Sequence, residues 1–366
     1  MKILQMHLGL SLMGGVESML IGLSNELARK YNVKVCTIFK PGPTDIYYTR
    51  LSSMVEKENL GIIKNGFSIR NLLKIFLYIR HSDADIIHIH SCFYYYALPI
   101  LFFHKTKKFI YTFHSDAFME NQKWDKRIFW LKKFCLRSGW MHPVTISVPS
   151  QQSFHNLYGI NSTLIENGVA CSVIDFKGQV LSPYRFSNKT KIFIHPGRIS
   201  EPKNQVVLCQ VFQHLIKEGN DVVLLLAGSK QDESIFKKLK SYFSDRIVYV
   251  GERNDIPQML YEADGMCLPS IWEGLPVVLL ESLSVGCVPI CSAVGGIPSV
   301  ITNGENGFLS ITSSAIDYLA SMKTYLSLNE EELLSLKIKA KKTFEKFNIA
   351  QCVSKYVELY KDVLNN

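Results

Sequence analysis

Two glutamates and the loop between them are the residues best suited to chemistry in this sequence. Glu273 and Glu281 stand eight positions apart, separated by an apolar segment that opens with Gly-Leu-Pro. A helix that begins near Pro276 has Glu281 in its second turn and leaves Glu273 just before its amino terminus. Because a carboxylate accepts the hydrogen bonds that hydroxyl groups donate, the pair indicates binding of a polyhydroxylated ligand.

The start of the same helix is suited to an anion. Amide groups in the first turn of a helix lack partners within the helix and lie at its positive end. We therefore expect the backbone of this turn to bind phosphate or sugar oxygens. The residues concerned are Gly274, Leu275, Pro276 and Val277.

A second segment, HPGRISEPKN, carries two cations five residues apart. Arg198 follows Gly197 at the end of a predicted strand, and Lys203 stands at the start of the next predicted helix. A guanidinium fork and a compact ammonium group that converge on a helix amino terminus suit a diphosphate.

Together these motifs resemble the retaining glycosyltransferases of family four, the group 1 type with the GT-B fold. PSIWEGLP, the following G-x2-P and the later Gly-Gly pair match that family's signature, and the resemblance runs along nearly the whole chain. It implies that Arg198 and Lys203 bind the diphosphate of a nucleotide-sugar. It also implies that Glu281 accepts hydrogen bonds from the ribose and that Glu273 lies near the donor sugar. The two cations would stabilise the departing nucleotide without a metal or another cofactor, and such a stabiliser typically contributes about 3 kcal/mol.

The resemblance extends to residues in the first half of the chain. Gly14 and Gly15 occupy the first strand-to-helix turn, where the family has a Gly-rich turn, although the dinucleotide pattern G-x-G-x2-G is missing. His114 ends the predicted strand KFIYTFH, and the family carries a histidine there, close to the reacting sugar. In the second half, Glu252 and Arg253 belong to a turn, GERN, that we expect to contact the base. The expected catalytic residues are Arg198, Lys203, Glu273 and His114.

The elements that must position these residues alternate between strand-like and helical patterns. The predicted strands are KILQMHL, VKVCTIF, DIIHIHS, KFIYTFHS and PVTISVPS, then KIFIHPG, VVLLLAG, IVYVG, GMCLPS and VPICS. Such alternation predicts parallel sheets covered by helices, so the fold class is α/β. Resemblance to the GT-B fold implies two Rossmann-like, doubly wound domains that face each other across a cleft, with the last helix crossing back to the first domain. The expected domains are residues 1–169 with 348–366, which bind the acceptor, and residues 170–347, which bind the donor.

Length and composition agree with two globular domains. The chain has 366 residues, of which 47% are hydrophobic and 20% charged. Its nine cysteines form no C-x2-C pair, which predicts reduced core thiols in a cytoplasmic protein. Asp83 and Asp85 resemble the metal-binding pair of another glycosyltransferase fold, but they precede a predicted strand, so we expect an exposed turn.

Positive charge is concentrated in one segment. Residues 101–140 contain nine Lys or Arg against three acidic residues, whereas the whole chain has a net charge of +9. The aromatic residues Trp124, Phe129, Trp130 and Phe134 are interleaved with these cations. This combination suits an anionic membrane surface, and a solvated helix with a core-facing aromatic stripe is the alternative. Nucleic acid is disfavoured because no nucleic-acid-binding motif is present. The apolar run CFYYYALPILFF has twelve residues, too few to cross a bilayer, so we expect a peripheral protein at the inner face of the cell membrane.

The leading functional prediction is a retaining, metal-independent hexosyltransferase. It would move a sugar from a nucleotide-sugar, expected to be UDP-linked, to a hydroxyl group of a glycan or lipid-linked glycan. The expected process is synthesis of a cell-surface polysaccharide such as capsule, O-antigen or exopolysaccharide. Two alternatives stay open: a GT-B UDP-sugar epimerase and a non-catalytic protein that binds sugar nucleotides.

Overall fold

In the computed structural model the chain divides into two compact units. One comprises Met1–Val169 with Ile349–Asn366, and the other comprises Ala170–Asn348. The structure describes residues 1–10, 14–41, 47–63, 68–121, 126–170 and 174–365, with the side chains of all of these except Tyr47 and Lys126.

Strands and helices alternate through both units. The strands are Lys2–His7 (β1), Asn32–Phe39 (β2), Glu56–Ile62 (β3), Ile86–Ile89 (β4), Lys108–Phe113 (β5), His142–Thr145 (β6), Thr163–Leu164 (β7), Lys191–Pro196 (β8), Val222–Ala227 (β9), Ile247–Gly251 (β10), Gly265–Leu268 (β11), Val288–Ser292 (β12) and Phe308–Ser310 (β13). The α-helices are Gly15–Leu27 (α1), Tyr47–Arg50 (α2), Ile69–His81 (α3), Ala97–Phe103 (α4), Ala117–Asn121 (α5), Lys126–Arg137 (α6), Val148–Tyr158 (α7), Gln205–Lys217 (α8), Glu233–Leu239 (α9), Ile256–Glu262 (α10), Val277–Val285 (α11), Ala315–Leu326 (α12), Glu330–Phe344 (α13) and Ile349–Asn365 (α14).

Each unit is built on one parallel sheet. The first has the order β3-β2-β1-β4-β5-β6-β7 and the second has the order β10-β9-β8-β11-β12-β13. In the first sheet the strand order reverses between β1 and β4, and in the second sheet it reverses between β8 and β11. Each reversal thus lies beside the strand that comes first in the chain of its unit. Open α/β sheets bind ligands at the carboxyl ends of the strands at such a reversal. The reversals are therefore the places where functional residues are expected.

Side chains of the first sheet alternate between two faces. Ile87 and Ile89 of β4 belong to the apolar core that also contains residues of α3, α4 and α6. His88, between them, lies on the opposite face and contacts Tyr360 of α14. Because the side-chain period of a strand is two, Gln5 of β1 and Thr112 of β5 also lie on the α14 side.

Helix α14 packs on the first unit. It contacts α1, and a Cβ atom at Gly22 would lie 3.4 Å from the side chain of Ile349. Burial of Tyr356 and Tyr360 fixes the helix on the sheet. The last helix thus belongs to the first unit, as the predicted fold class requires.

The predicted strands and the structure differ in two respects. PVTISVPS was expected to be one strand, but β6 ends at Thr145 and the last three residues begin α7. Ser147 caps that helix by accepting a hydrogen bond from the amide of Ser150, and Pro149 suits the first helical turn. Strands β3, β7 and β13 were not predicted because they lie at sheet edges and are either short or largely polar.

Candidate active site

The carboxyl ends of β8 and β11 carry the charged residues that the sequence singles out in the second unit. Gly197 and Arg198 directly follow β8, and the loop after β11 leads to Glu273. The two strands are neighbours at the reversal of strand order. Lys203 ends a short 3-10 turn, Glu201–Lys203, that precedes α8. The tertiary structure therefore places these four residues around one edge of the sheet.

Lys203 and Glu273 form an ion pair within this group. The Lys203 Nζ atom lies 2.6 Å from Oε1 of Glu273, and the two side chains are only 19% and 11% exposed. Ser270 donates a second hydrogen bond, of 2.7 Å, to the same carboxylate oxygen. Among the described residues no donor reaches Oε2 of Glu273. The carboxylate thus holds Lys203 in place and keeps one oxygen able to accept a hydrogen bond.

A buried histidine orders the loop that carries Arg198. His195 of β8 donates from Nδ1 to the carbonyl of Cys267 in β11, at 2.8 Å. Its Nε2 accepts from the amide of Gln205, which also donates to the Arg198 carbonyl at 2.8 Å. Burial lowers the pKa of His195 to about 4, so the ring stays neutral and keeps this tautomer. Sequence patterns did not point to His195 or Gln205, because the roles of both residues depend on contacts between different elements of the fold.

The Arg198 guanidinium differs from Lys203 in having no carboxylate partner among the described residues. Its side chain is partly exposed at the end of β8. Because no intramolecular carboxylate has to be displaced, the guanidinium can pair with an anion through two parallel hydrogen bonds. The geometry thus leaves Arg198 available to an incoming phosphate.

Two glycines allow the loops of this site to approach one another closely. A Cβ atom at Gly228, where φ is +151°, would lie 2.1 Å from the Gly197 carbonyl oxygen. A Cβ atom at Gly295, where φ is +54°, would lie 1.9 Å from the Glu273 carbonyl oxygen. The neighbouring Gly296 donates its amide to Gly274 at 2.6 Å. Any side chain at these glycines would displace the backbone that holds Arg198 and Glu273.

Helix α11 begins where the sequence predicts. Pro276 is its N-cap residue, Glu281 lies in its second turn and Gly286, with φ of +75°, ends it. Glu281 is partly exposed. One expectation was wrong in detail: Pro276 has no N–H, so the amide donors of this turn reduce to those of Gly274, Leu275 and Val277.

The GERN turn follows β10, which is separated from β8 by β9. Arg253 binds Asp255 of its own loop through Nε at 2.8 Å and Nη2 at 2.5 Å. Glu252 is exposed. A guanidinium engaged in this bidentate pair is less available to a ligand, so any contact of Arg253 with a base requires either its backbone or the loss of this pair.

Gly14 and Gly15 lie at the start of α1, and residues 11–13 before them lie outside the described part of the chain. Gly14 is the N-cap residue and Gly15 is the first residue of the helix. The Glu17 carboxylate folds back over this turn, so that a Cβ atom at Gly14 would lie 2.2 Å from its Oε2. A side chain at Gly14 would therefore force the carboxylate of Glu17, which is buried in the first turn of α1, to move.

His114 follows β5 and meets two further histidines on the α14 side of the first sheet. Its Nε2 lies 3.1 Å from Nδ1 of His90, and the two rings are stacked. His88 and His90 share one face, as their alternation predicts, with ring centroids 4.0 Å apart. Burial lowers the pKa of His114 to about 3 and holds those of His88 and His90 well below their ordinary value. The cluster is therefore uncharged at neutral pH.

Lys132, one of the nine cations counted in residues 101–140, does not belong to the basic surface expected for this segment. It is buried, its Nζ lies 2.6 Å from Glu120, and the same atom lies 4.3 Å from the ring centres of Tyr111 and Phe113. Helix α6 turns this position toward the core, where a lysine is tolerated only with a paired carboxylate. Lys123 and Trp124 lie outside the described residues, as does the side chain of Lys126.

Other positions of α6 and of its neighbours do face outward. Helix α3 contacts α4, and α4 contacts α6. Trp130 is 63% exposed and Phe102 is 67% exposed. We call the exposed apolar residues of these helices the α3–α4–α6 face: Ile69, Leu73, Leu77, Leu98, Phe102, Trp130 and Phe134. Exposed cations stand among them, at Arg70, Lys74, Lys105, Arg127 and Arg137.

The remaining candidate features lie at the amino ends of the strands, away from the carboxyl ends at the two reversals. Asp83 pairs with Lys2 at 2.6 Å and is exposed, and the Lys2 amide donates to Asp85. A cavity of about 370 Å³ borders α3 and is lined by residues such as Lys34, Lys74 and Asp83. It opens near the amino ends of β2 and β4, opposite the carboxyl ends that carry the candidate site. No helix within the described residues is long and apolar enough to cross a bilayer.

The chain is similar to known proteins along most of its length. Residues 181–343 match the family described as Glycosyl transferases group 1, and residues 13–173 match the one described as Glycosyltransferase Family 4. N-acetyl-alpha-D-glucosaminyl L-malate synthase of Bacillus anthracis is 28% identical over 196 residues, which are 51% of this chain and 50% of that protein. The chain thus spans about half the length of that relative.

Two further similarities cover nearly the whole chain. UDP-Gal:alpha-D-GlcNAc-diphosphoundecaprenol alpha-1,3-galactosyltransferase of Escherichia coli is 25% identical over 350 residues, covering 84% of this chain and 82% of that protein. The crystal structure of Anabaena Alr3699/HepE in complex with UDP-glucose has a TM-score of 0.82 at 17% identity, covering 99% of this chain and 100% of that one. Because the sequence identity is only 17%, the similarity to the Anabaena structure concerns the fold alone.

Proposed function

Because the chain belongs to the group 1 glycosyltransferases of family four, we propose that it transfers a sugar from a UDP-sugar to a hydroxyl acceptor with retention of anomeric configuration. Its two Rossmann-like units have the GT-B type of fold, which agrees with the prediction from sequence. The observation that carries the proposal is the meeting of Lys203 with Glu273 beside Arg198, at the strand-order reversal of the second sheet.

The proposed site combines the two kinds of group that a sugar nucleotide needs. Arg198 and Lys203 provide positive charge for the diphosphate, and the amides that open α11 provide further donors. The free Oε2 of Glu273 is an acceptor for a hydroxyl of the donor sugar, and Glu281 is the proposed acceptor for the ribose hydroxyls. When phosphate binds, Lys203 must either give up its hydrogen bond to Glu273 or bond to the carboxylate and the phosphate at the same time.

The chemical step follows from these charges. The bond between the anomeric carbon and the diphosphate oxygen breaks, the acceptor oxygen forms the new bond on the same face, and the acceptor proton passes to the departing diphosphate. Negative charge grows on the diphosphate as its bond breaks, so Arg198 and Lys203 stabilise the transition state more than the ground state. We propose that this charge replaces a metal ion, so that transfer needs no cofactor.

For the acceptor we propose a lipid-linked glycan at an anionic membrane surface, in the synthesis of a cell-surface polysaccharide. The α3–α4–α6 face supports this proposal because it combines exposed apolar side chains with exposed cations, as membrane-surface helices do. Trp130, which is amphipathic, and Phe102, which is apolar, are suited to the interface between headgroups and acyl chains. The Escherichia coli relative carries a lipid-linked acceptor, diphosphoundecaprenol, in its name.

The proposal is tested by incubating the full chain with UDP-glucose, UDP-galactose and UDP-N-acetylglucosamine, each with and without excess EDTA. Slow release of UDP that EDTA does not change is the expected result. Interconversion of the UDP-sugars would show an epimerase, and binding without turnover would show a non-catalytic protein. Proton NMR of the product from an α-linked donor then decides retention, because a β-linked product contradicts it.

A further inference from the structure

The histidine cluster of the first unit is one hydrogen-bonded chain. His114 Nε2 meets His90 Nδ1 at 3.1 Å, and His90 Nε2 meets the Gln5 side-chain oxygen at 2.6 Å. The Gln5 amide nitrogen continues to the Tyr360 hydroxyl at 3.4 Å, which meets His88 Nδ1 at 2.7 Å. His88 Nε2 meets the Thr112 hydroxyl at 2.8 Å, and that hydroxyl meets the Tyr356 hydroxyl at 3.1 Å. The participants come from β1, from β4 and β5 with the residues that follow them, and from α14.

The chemistry of Gln5 determines where each proton lies. An amide oxygen only accepts, so the bond at 2.6 Å requires the proton to be on Nε2 of His90. His90 is buried and neutral, so its Nδ1 has no proton and must accept. The bond to His114 is then donated by His114 Nε2.

The consequence appears at the open end of the chain. His114 is neutral as well, so a proton on Nε2 leaves Nδ1 with a lone pair. Within the described part of the chain nothing donates to this Nδ1. Of the three histidines in this hydrogen-bonded chain, only His114 is partly exposed, since His88 and His90 are buried.

We infer that Gln5 and His90 are positioning residues that hold His114 as its Nε2–H tautomer, so that its Nδ1 keeps a lone pair and can only accept a hydrogen bond. The opposite tautomer would present an N–H donor at the same position.

The tautomer is measured directly in the full, ligand-free chain labelled with 15N-histidine. Long-range proton–nitrogen correlation distinguishes protonated from unprotonated ring nitrogens, and the His114 signals are assigned by their loss in His114→Asn. The expected result is a protonated Nε2 and an unprotonated Nδ1. A protonated Nδ1 in the wild-type chain overturns the inference.

Gln5→Leu tests the cause. Without the side-chain oxygen of Gln5, no acceptor requires the His90 proton to lie on Nε2, so His114 should become a mixture of tautomers. A single Nε2–H tautomer that persists in Gln5→Leu shows that Gln5 does not position His114. Tyr356→Phe is the matched control, since it removes a buried hydroxyl beyond Thr112 and should leave His114 unchanged.

His90→Asn keeps the inference testable if Gln5→Leu fails to fold. The side-chain oxygen of the asparagine can accept the hydrogen bond from His114 Nε2 in place of the imidazole, so the wild-type tautomer of His114 should persist. His90→Leu removes the acceptor and should leave His114 as a mixture of tautomers. An unchanged single tautomer in His90→Leu shows that His90 does not position His114.

Discussion

Lys203 and Glu273 are 70 positions apart in the chain, yet their charged atoms lie 2.6 Å from each other in a largely buried setting. Each is thereby neutralised in the ligand-free protein. In the proposed function, an incoming diphosphate would compete with Glu273 for the same ammonium group. Binding of phosphate would then be coupled to the release of a carboxylate that can accept hydrogen bonds from a sugar.

The first prediction concerns this competition. Glu273→Gln should strengthen UDP binding up to about tenfold, because removing the rival charge frees Lys203, while sugar transfer should fall. Lys203→Met should weaken UDP binding by about tenfold or more, as expected for a lost charged hydrogen bond of about 1.5–3 kcal/mol. Calorimetry with UDP measures both, and weaker UDP binding by Glu273→Gln contradicts the competition.

A matched control lies in the same unit. Lys323 and Glu218 are also 2.6 Å apart, but they are exposed and belong to the surface of the unit. Lys323→Met should leave the affinity for UDP unchanged. A loss equal to that of Lys203→Met would mean that net charge, and not the site, controls UDP binding.

Arg198→Ala should lower kcat by about a hundredfold, because the lost charge matters most when negative charge develops on the diphosphate. The thermal unfolding midpoint should change little, since the guanidinium has no carboxylate partner among the described residues. Steady-state kinetics and a thermal melt of the same preparation give the two values. A large fall in the melting temperature without a fall in kcat would assign Arg198 a structural role.

Glu281→Gln should weaken UDP binding by about tenfold, because a carboxylate bonded to ribose hydroxyls is a charge-assisted acceptor. The effect should depend on those hydroxyls. Wild-type protein should bind UDP more tightly than 2′,3′-dideoxy-UDP, and the variant should bind the two about equally. Persistent discrimination in the variant rejects the ribose contact.

The membrane prediction uses only cations that the structure shows to be exposed. Replacing Arg70, Lys74 and Arg137 by Gln should weaken binding to anionic phosphatidylglycerol vesicles by about a hundredfold, because each cation near such a surface is worth about 1 kcal/mol. Co-sedimentation at low salt measures the change. A wild-type chain that fails to sediment with these vesicles rejects the membrane proposal.

Two controls separate this face from general charge. Replacing Lys339, Lys341 and Lys342 of α13 by Gln removes the same charge from the second unit and should leave vesicle binding nearly intact. Lys132→Gln should instead lower the melting temperature, since it breaks the buried pair with Glu120. Release from vesicles by the α13 variant would show that the binding is non-specific.

The buried His195 predicts sensitivity to acid. Its pKa is about 4 in the folded protein against an ordinary value of 6.5, so the unfolded chain binds the proton more readily. The free energy of unfolding should therefore fall as the pH drops from about 6.5 to 4, by about 3 kcal/mol from this residue at most. Urea unfolding at pH 7.5 and 5.0 measures it.

His195→Asn should reduce this pH dependence, because its amide can still donate to the Cys267 carbonyl but does not titrate in this range. His214 offers the matched control, since it is about half exposed and pairs with Glu218 at the surface. His214→Asn should leave the destabilisation at pH 5.0 in place. An equal pH dependence in wild-type protein and His195→Asn excludes His195 as a source.

Local patterns in the sequence were enough to locate most elements of both sheets. Runs such as VVLLLA are buried strands because every side chain is apolar, and the start of α11 follows from Gly-Leu-Pro before an apolar helical run. The motifs that contain Gly, Arg, Lys and Glu carried the family resemblance because each of them is a short contiguous segment of the sequence. Edge strands β3, β7 and β13 escaped because strands at an edge need not be long or apolar.

Only the tertiary structure decided which of these residues meet. The pairing of Lys203 with Glu273, the burial of Lys132 and the bond from Gln5 to His90 each join different elements of the fold. Sequence spacing specifies which face of an element a residue occupies, but not which distant element packs against that face. The carboxyl ends of neighbouring parallel strands bring such residues together. Helix α14 adds the tyrosine hydroxyls that complete the histidine chain, because it packs on the face of the first sheet that carries His88.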